Sequence, residues 1–340
     1  MLVTQSTLLI YLLLYGSLLF AEQVNHASST ETTGISFWSI QYENDFLGER
    51  SDKYYTQGIE LSFSQQSDIP DFLLGIASYL ATQGKIQQQA VTYSFGQKVF
   101  TPDNLQTENL QTNDRPYAGY LYGAITYLNV VDTTANKQHV NFLELSLGVV
   151  GPSALGEEMQ NFLHQLIDKP VAEGWQHQLD DELAIGAAYS HKWRNFFNLK
   201  ESKQTELSPH GAIVIGNVYS YIAGGIMFRW GQGLKRDIGP PNIRPGFIGN
   251  AYFSPHPDTR WYLFLGHEAR LIGKNIFLDG NMNVHSHRVD SKPLVGDLIL
   301  GFAIQKDNMR YTFSHITRSK EFEGQADHTQ FGSINFSFYF

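Results

Sequence analysis

Apolar and polar residues alternate with period two along most of this chain, the spacing of strands whose two faces meet different surroundings. In "GIELSFS" Ile59, Leu61 and Phe63 share one face while Glu60, Ser62 and Ser64 share the other; in "VTYSFGQ" the apolar set is Val91, Tyr93 and Phe95. "NFLELSLGV" sets Leu143, Leu145, Leu147 and Val149 against Phe142, Glu144, Ser146 and Gly148, so a glutamate falls mid-strand on the polar side. Such runs recur at Ile35–Glu43, Gln57–Gln65, Ala90–Phe100, Tyr117–Val131, His139–Val150, Glu182–Trp193, Pro209–Val218, Tyr221–Gly231, Trp261–Leu271, Leu294–Lys306, Met309–Arg318 and Gln330–Phe340. A closed sheet between lipid and a polar interior requires this pattern, in an even number of strands of about 9–11 residues. The reading is an all-β, 12-stranded antiparallel transmembrane β-barrel.

One stretch breaks the rule. In "GEEMQNFLHQLI", Gly156 to Ile167, the apolar residues Met159, Phe162, Leu163, Leu166 and Ile167 recur at helical spacing, with Glu157, Gln160 and His164 on the opposite face. The spacing predicts a short helix in the long connection 151–181. With a periplasmic N-terminus, the connections after odd-numbered strands are outside, so 44–56, 101–116 and 151–181 meet at the outer rim. Other long segments are 232–260, with 249–255 expected as extended loop, and 272–293. Alternation puts the tight connection between Val218 and Tyr221 outside and 232–260 in the periplasm, against the tendency for short periplasmic turns.

Composition sharpens this picture. The N-terminus, "MLVTQSTLLIYLLLYGSLLFAEQ", carries an apolar run from Leu8 to Phe20 and a small residue, Ala21, at a cleavage point, which predicts a signal peptide over 1–21 despite the lack of a preceding Lys or Arg. A membrane anchor is the alternative, but the run is shorter than the ~20 residues a spanning helix needs. Residues 22–34 then form a short lead-in to a single barrel domain, 35–340. Aromatic residues make up 14% and charged residues 17%, which suits a barrel in lipid, and the end "FGSINFSFYF" resembles the terminal assembly strand of bacterial outer-membrane barrels. The absence of cysteine excludes disulfides and Cys-ligated metals, and a net charge of −9 without a basic cluster excludes nucleic acid as a partner.

Three clusters carry candidate chemistry: "YENDFLGERSDKYYTQG" at 42–58, "NDRPYAGYLYG" at 113–123 and "GPSALGEEMQNFLHQLI" at 151–167. Asn44 and Asp45 close the first strand and Thr56 opens the second, so a hairpin returns that hydroxyl toward the pair. Gln160 and His164 are helical neighbours, and imidazole is the simplest general base near pH 7. Asn-Asp is also ordinary turn chemistry, Asp114-Arg115 an ordinary rim ion pair, and His191, His210, His267 and His315 ordinary strand residues. Ser153 lacks the G-x-S-x-G context of a nucleophilic serine. No zinc spacing or EF-hand is present, but Glu43, Asn44 and Asp45 with backbone carbonyls supply oxygens of the kind calcium takes.

In these residues the chain resembles the outer-membrane lipid A 3'-O-deacylases of Gram-negative bacteria. The shared elements are Asn44-Asp45, the Tyr55, Thr56 and Gly58 opening of the second strand, Gly-Pro followed by Glu-x-x-Gln-x-x-x-His on the rim helix, and Trp175, Gln176 and Gln178 downstream. The resemblance implies a calcium-dependent esterase of the cell outer membrane, probing the outer leaflet as a monomer and removing the 3'-linked acyloxyacyl chain of lipid A from lipopolysaccharide. It implies an active site of Asn44, Asp45, Thr56, Gln160 and His164, with Asn44 and Asp45 in the calcium vicinity and His164 as general base. The divalent ion would also bridge lipid phosphates and an acidic protein. Two departures stand out. Pro170 occupies the place of a family glutamate, with Asp168 or Glu173 as possible substitutes, and Thr107 lies near the place of a family lysine. A phospholipase-type esterase and a non-catalytic pore are the alternatives from the residues alone.

Overall fold

The computed structural model describes residues 36–47, 54–79, 83–200, 202–241, 245 and 252–340. The expected signal peptide, the segment 22–34, Ile35 and residues 249–251 of the expected extended loop lie outside them. Twelve strands close into one antiparallel barrel in which each pairs with its sequence neighbours and the first pairs with the last. They are β1 (Ser36–Asn44), β2 (Tyr54–Gln65), β3 (Lys85–Thr101), β4 (Ala118–Thr134), β5 (Lys137–Val150), β6 (Glu182–Phe197), β7 (Gln204–Gly216), β8 (Tyr219–Gly231), β9 (His256–Asn275), β10 (Leu294–Asp307), β11 (Met309–Arg318) and β12 (Thr329–Tyr339).

The period-two pattern has the expected consequence. Ile59, Leu61, Phe95, Leu147 and Ile185 are exposed on the outer wall, as a lipid-facing belt requires, while their polar neighbours point inward. The inward set is cross-linked. Glu206 receives Arg194 (2.9 Å) and Arg229, Asp237 receives Arg229 and Arg310 (3.0 Å each), and Asp297 receives Arg270 (2.8 Å) and Arg318 (3.0 Å). Charges this deeply buried are tolerated because each faces an opposite charge and further hydrogen bonds.

The connections that ran against the length rule are real features. The two residues between β7 and β8 stand at the end that carries the helix Gly156–Leu166, and the long segment after β8 starts from the opposite end; its described residues, 232–241, 245 and 252–255, include several that enter the lumen. Asp237 and Phe253 bridge to each other inside the barrel, Tyr339 donates its hydroxyl to the Phe253 carbonyl, and Tyr221, near the outer end of β8, donates to the Pro245 carbonyl (2.7 Å). The length of this segment reflects a plug, not a miscounted strand.

Sequence reading missed helix α1 (Asp71–Tyr79), in the connection between β2 and β3. Its Leu73 packs on Val91 and Tyr127 of the outer wall, near the periplasmic end. Helix α2 (Gly156–Leu166) lies in the rim loop where the helical spacing put it. A short helix, α3 (Ile276–Asp279), caps the outer mouth, with Phe277 stacked on Phe100 at 4.0 Å.

Candidate active site

The first half of the site is made by the wall. Along β1 the inward residues Phe37, Gln41 and Glu43 are buried, and alternation turns Asn44 to the outer face. Glu43 is committed to the lumen, where Gln41 Nε2 (2.6 Å) and the Tyr55 hydroxyl donate to its carboxylate. That removes it from the oxygen donors expected beside Asn44 and Asp45. Asn44 pairs across to Gln57, and its Nδ2 donates to the Thr56 carbonyl at 2.9 Å. Asp45 follows at the start of a 3₁₀ turn and is fully buried.

Thr56 owes its position to a β-bulge. Tyr55 pairs with Phe100 and Gln57 with Val99, which leaves Thr56 as one extra residue on β2. Strict alternation would place residues 55 and 57 on one face; the bulge instead lets Tyr55 point into the lumen while Gln57 pairs on the outer wall. Thr56 is thereby freed from the alternation, and its Oγ1 bonds the Thr101 Oγ1 at 2.7 Å. Thr101 was not singled out by sequence; it shares the outward face of β3 with Gln97 and Val99.

The second half is laid over that wall. Gln97 Nε2 donates to the carbonyls of Ala154 (2.6 Å) and Leu155 (3.0 Å), and Leu155 takes a left-handed conformation (φ 55°) that turns the chain into α2. Gly156 then meets Gly119 of β4 backbone to backbone, so the helix rests directly on the barrel. Trp175 and Tyr117, with ring centres 5.0 Å apart, pack with Val99, Leu105 and Ala172 to hold the rest of the loop in place.

Helix α2 is inverted relative to an ordinary surface helix. Gly156, Gln160 and His164, spaced by four, are the buried residues, whereas Leu155 before it and Phe162 and Leu166 within it are exposed, Phe162 by 60%. Glu157, expected on the polar face with Gln160 and His164, is exposed. The stripe of Gly156, Gln160 and His164 therefore faces the protein, while Phe162 and Leu166 stand exposed beside Glu157, Glu158 and Gln165, an amphipathic outer side of the kind that meets a membrane interface.

Two bonds fix the polar stripe. Trp175 Nε1 donates to Gln160 Oε1 at 2.8 Å, which leaves Gln160 Nε2 buried with no hydrogen-bond partner among the described residues. His164 Nδ1 lies 2.6 Å from the Pro170 carbonyl. A carbonyl only accepts, so Nδ1 carries a proton, and in the neutral ring the lone pair is on Nε2. The chain reverses after α2 through Asp168 (φ 57°) and the bond from Lys169 N to the His164 carbonyl (2.8 Å), which brings residue 170 back under the ring. Pro170, noted in the sequence as a departure, supplies His164 with a main-chain acceptor, while Asp168 and Glu173 are exposed.

The neighbouring loop 102–117 is rigidly tied. Asp114 accepts from the backbone of Asp103 (2.8 Å) and Arg115 (2.7 Å), and burial raises its carboxyl above the ordinary value. Arg115 is fully buried, donates to the Tyr54 carbonyl (3.0 Å) and stands 3.6 Å from Glu321.

Among the described residues no group of three or more His, Asp or Glu gathers as a metal centre. Asp45, Asn44 and Thr56 carry oxygens of the hard type that calcium takes, with one carboxylate among them, so they are the residues that could hold such an ion with water and substrate oxygens.

The profile of the family described as outer membrane protein LpxR matches residues 8–340. The chain belongs to the LpxR family of outer membrane proteins. No curated protein sequence matches it. Among solved structures, LpxR from Salmonella typhimurium superposes with a TM-score of 0.74 at 19% identity, covering 89% of this chain and all of that one, which shows a shared fold. The β domain of the Bordetella autotransporter BrkA gives a TM-score of 0.48 at 10% identity, over 91% of this chain and all of that one. Family membership places the barrel described here in the outer membrane.

Proposed function

We propose that this protein is a lipid A deacylase, an ester hydrolase that removes the 3'-linked acyloxyacyl chain. The observation that supports it most is the placement of His164 on the lipid side of the barrel wall, on a helix that turns Gln160 and His164 toward the wall and leaves Phe162 and Leu166 exposed. A soluble substrate would call for an opening toward water. A lipid substrate gives a reason to turn Gln160 and His164 inward and to leave Phe162 and Leu166 exposed. The filled lumen, in turn, speaks against a passive pore.

In this reading His164 Nε2 takes a proton from water, and the hydroxide adds to the ester carbonyl carbon. Collapse of the tetrahedral adduct breaks the bond to the sugar's 3' oxygen, which regains the proton from the imidazolium. The products are a free fatty acid and a 3'-hydroxyl. The Pro170 carbonyl holds the ring through both transfers, and Thr56, fixed by Thr101, and Gln160, fixed by Trp175, order the space around it. Bound calcium, held through Asn44 and Asp45, would polarise the carbonyl and stabilise the oxyanion.

Expression in a Gram-negative host lacking the activity tests the reading. Lipid A extracted from cells with the native chain should lose the mass of one acyloxyacyl group, and His164→Ala should leave it intact at equal barrel abundance. Intact lipid A with the native chain would reject the proposal.

A further inference from the structure

A second polar cluster lies on the outer wall, far from α2, near the periplasmic ends of β4, β5 and β6. Asn129 stands opposite Asn141, Asn141 opposite His191, and His139 opposite Trp193, all on the face that carries Leu143, Leu145 and Ile185. A row of two amides and an imidazole on a lipid-facing wall is unexpected, because polar side chains there must find partners within the protein.

Three of its atoms have none. His139 Nδ1, His191 Nε2 and Asn129 Oδ1 are buried and lack a hydrogen-bond partner among the described residues. The rest of the cluster is bonded in a way that prepares them. Asn141 Oδ1 accepts from His191 Nδ1 (2.7 Å) and from the Tyr189 hydroxyl (2.9 Å). An amide oxygen only accepts, so His191 carries a proton on Nδ1, and in the neutral ring its buried Nε2 offers a lone pair. This is the arrangement that orients metal-binding histidines.

The two rings also stand at the right separation. Two imidazoles bound to one ion at about 2.1 Å and a tetrahedral angle place their ring centres about 5 Å apart. His139 and His191 are 5.0 Å apart, with their planes at 85°. Trp193 packs on His191 at 4.4 Å, and α1 covers the row above through Leu73 on Tyr127, so the site is sheltered on two sides.

We propose that His139 and His191 bind a divalent transition-metal ion of the zinc or copper type at the periplasmic edge of the outer wall, with Asn129 and solvent completing the shell. Imidazole nitrogens favour such ions over the calcium suited to the oxygen set at Asn44 and Asp45.

The test uses the full-length protein in detergent, stripped with chelator and given one equivalent of Cu²⁺. Electron paramagnetic resonance should show hyperfine coupling to two nitrogens, and Zn²⁺ should displace the signal. His139→Gln and His191→Gln should each weaken Zn²⁺ binding at least tenfold, whereas His285→Gln, in an exposed loop, should leave it unchanged. A copper spectrum without two-nitrogen coupling, or Zn²⁺ binding indifferent to both variants, would overturn the proposal. The wild-type spectrum decides even if a variant folds poorly, and it is independent of any action on lipid A.

Discussion

Gly119 of β4 and Gly156 of α2 touch through their backbones: a Cβ on Gly156 would lie 2.8 Å from the Gly119 Cα and 2.9 Å from the Trp175 ring. Backbone on one side and a packed indole on the other cannot yield, so any side chain here lifts the helix from the wall. Gly156→Ala should therefore lower deacylation at least tenfold while the barrel keeps its heat-modifiable migration on gels. Unchanged activity would show that this contact does not position His164.

The bulge at Thr56 makes a second prediction. Thr56→Val keeps the shape and removes the hydroxyl, leaving the buried Thr101 Oγ1 without that bond, a loss of about 1–3 kcal/mol. Turnover should fall at least tenfold in Thr56→Val and return in Thr56→Ser. A valine variant with native turnover would remove Thr56 from the site.

The plug should seal the barrel. Asp237 receives Arg229, Arg310 and the Tyr262 hydroxyl, so Asp237→Ala removes the carboxylate that faces buried Arg310 and one of the two that face Arg229, at a cost of about 3–5 kcal/mol. In planar bilayers the native protein should be electrically silent, and Asp237→Ala should show openings and a lower melting temperature. Open native channels would contradict a filled lumen.

Tyr117, packed against Trp175 beneath the rim loop, gives the pH dependence. Burial pushes its hydroxyl from 10.0 up to about 12. The folded pKa is raised, so this contribution to stability is fully present below pH 10 and is lost as the pH rises toward 12. The fluorescence that distinguishes the native protein from Trp175→Phe should change across that window, and the change should vanish in Tyr117→Phe. A transition that persists in Tyr117→Phe would exclude this cause.

The twelve strands were legible in the sequence because a sheet buried on one face and lipid-exposed on the other repeats every second residue. Helix α1 was not, since "DFLLGIASY" is apolar almost throughout and no polar stripe betrays its period. The helical spacing of α2 showed two faces, but spacing cannot say which one meets the protein, and here it is the polar one. The bulge at Thr56 left no trace in composition. The partner of His164 was hidden for a different reason: it is a main-chain oxygen, so the identity of residue 170 says nothing about it. The plug depends on contacts such as Asp237 with Arg310 that no local pattern records.

In the proposed function, His164 is the general base of a calcium-assisted lipid A hydrolysis on the outer wall of this barrel. Mass spectrometry of purified lipid A incubated with the detergent-solubilised protein, in calcium and in chelator, native beside His164→Ala, tests it most directly. Release of the 3'-linked acyloxyacyl acid by the native protein in calcium alone is the predicted result. Equal release by folded His164→Ala, or none from the folded native protein in calcium, would contradict it.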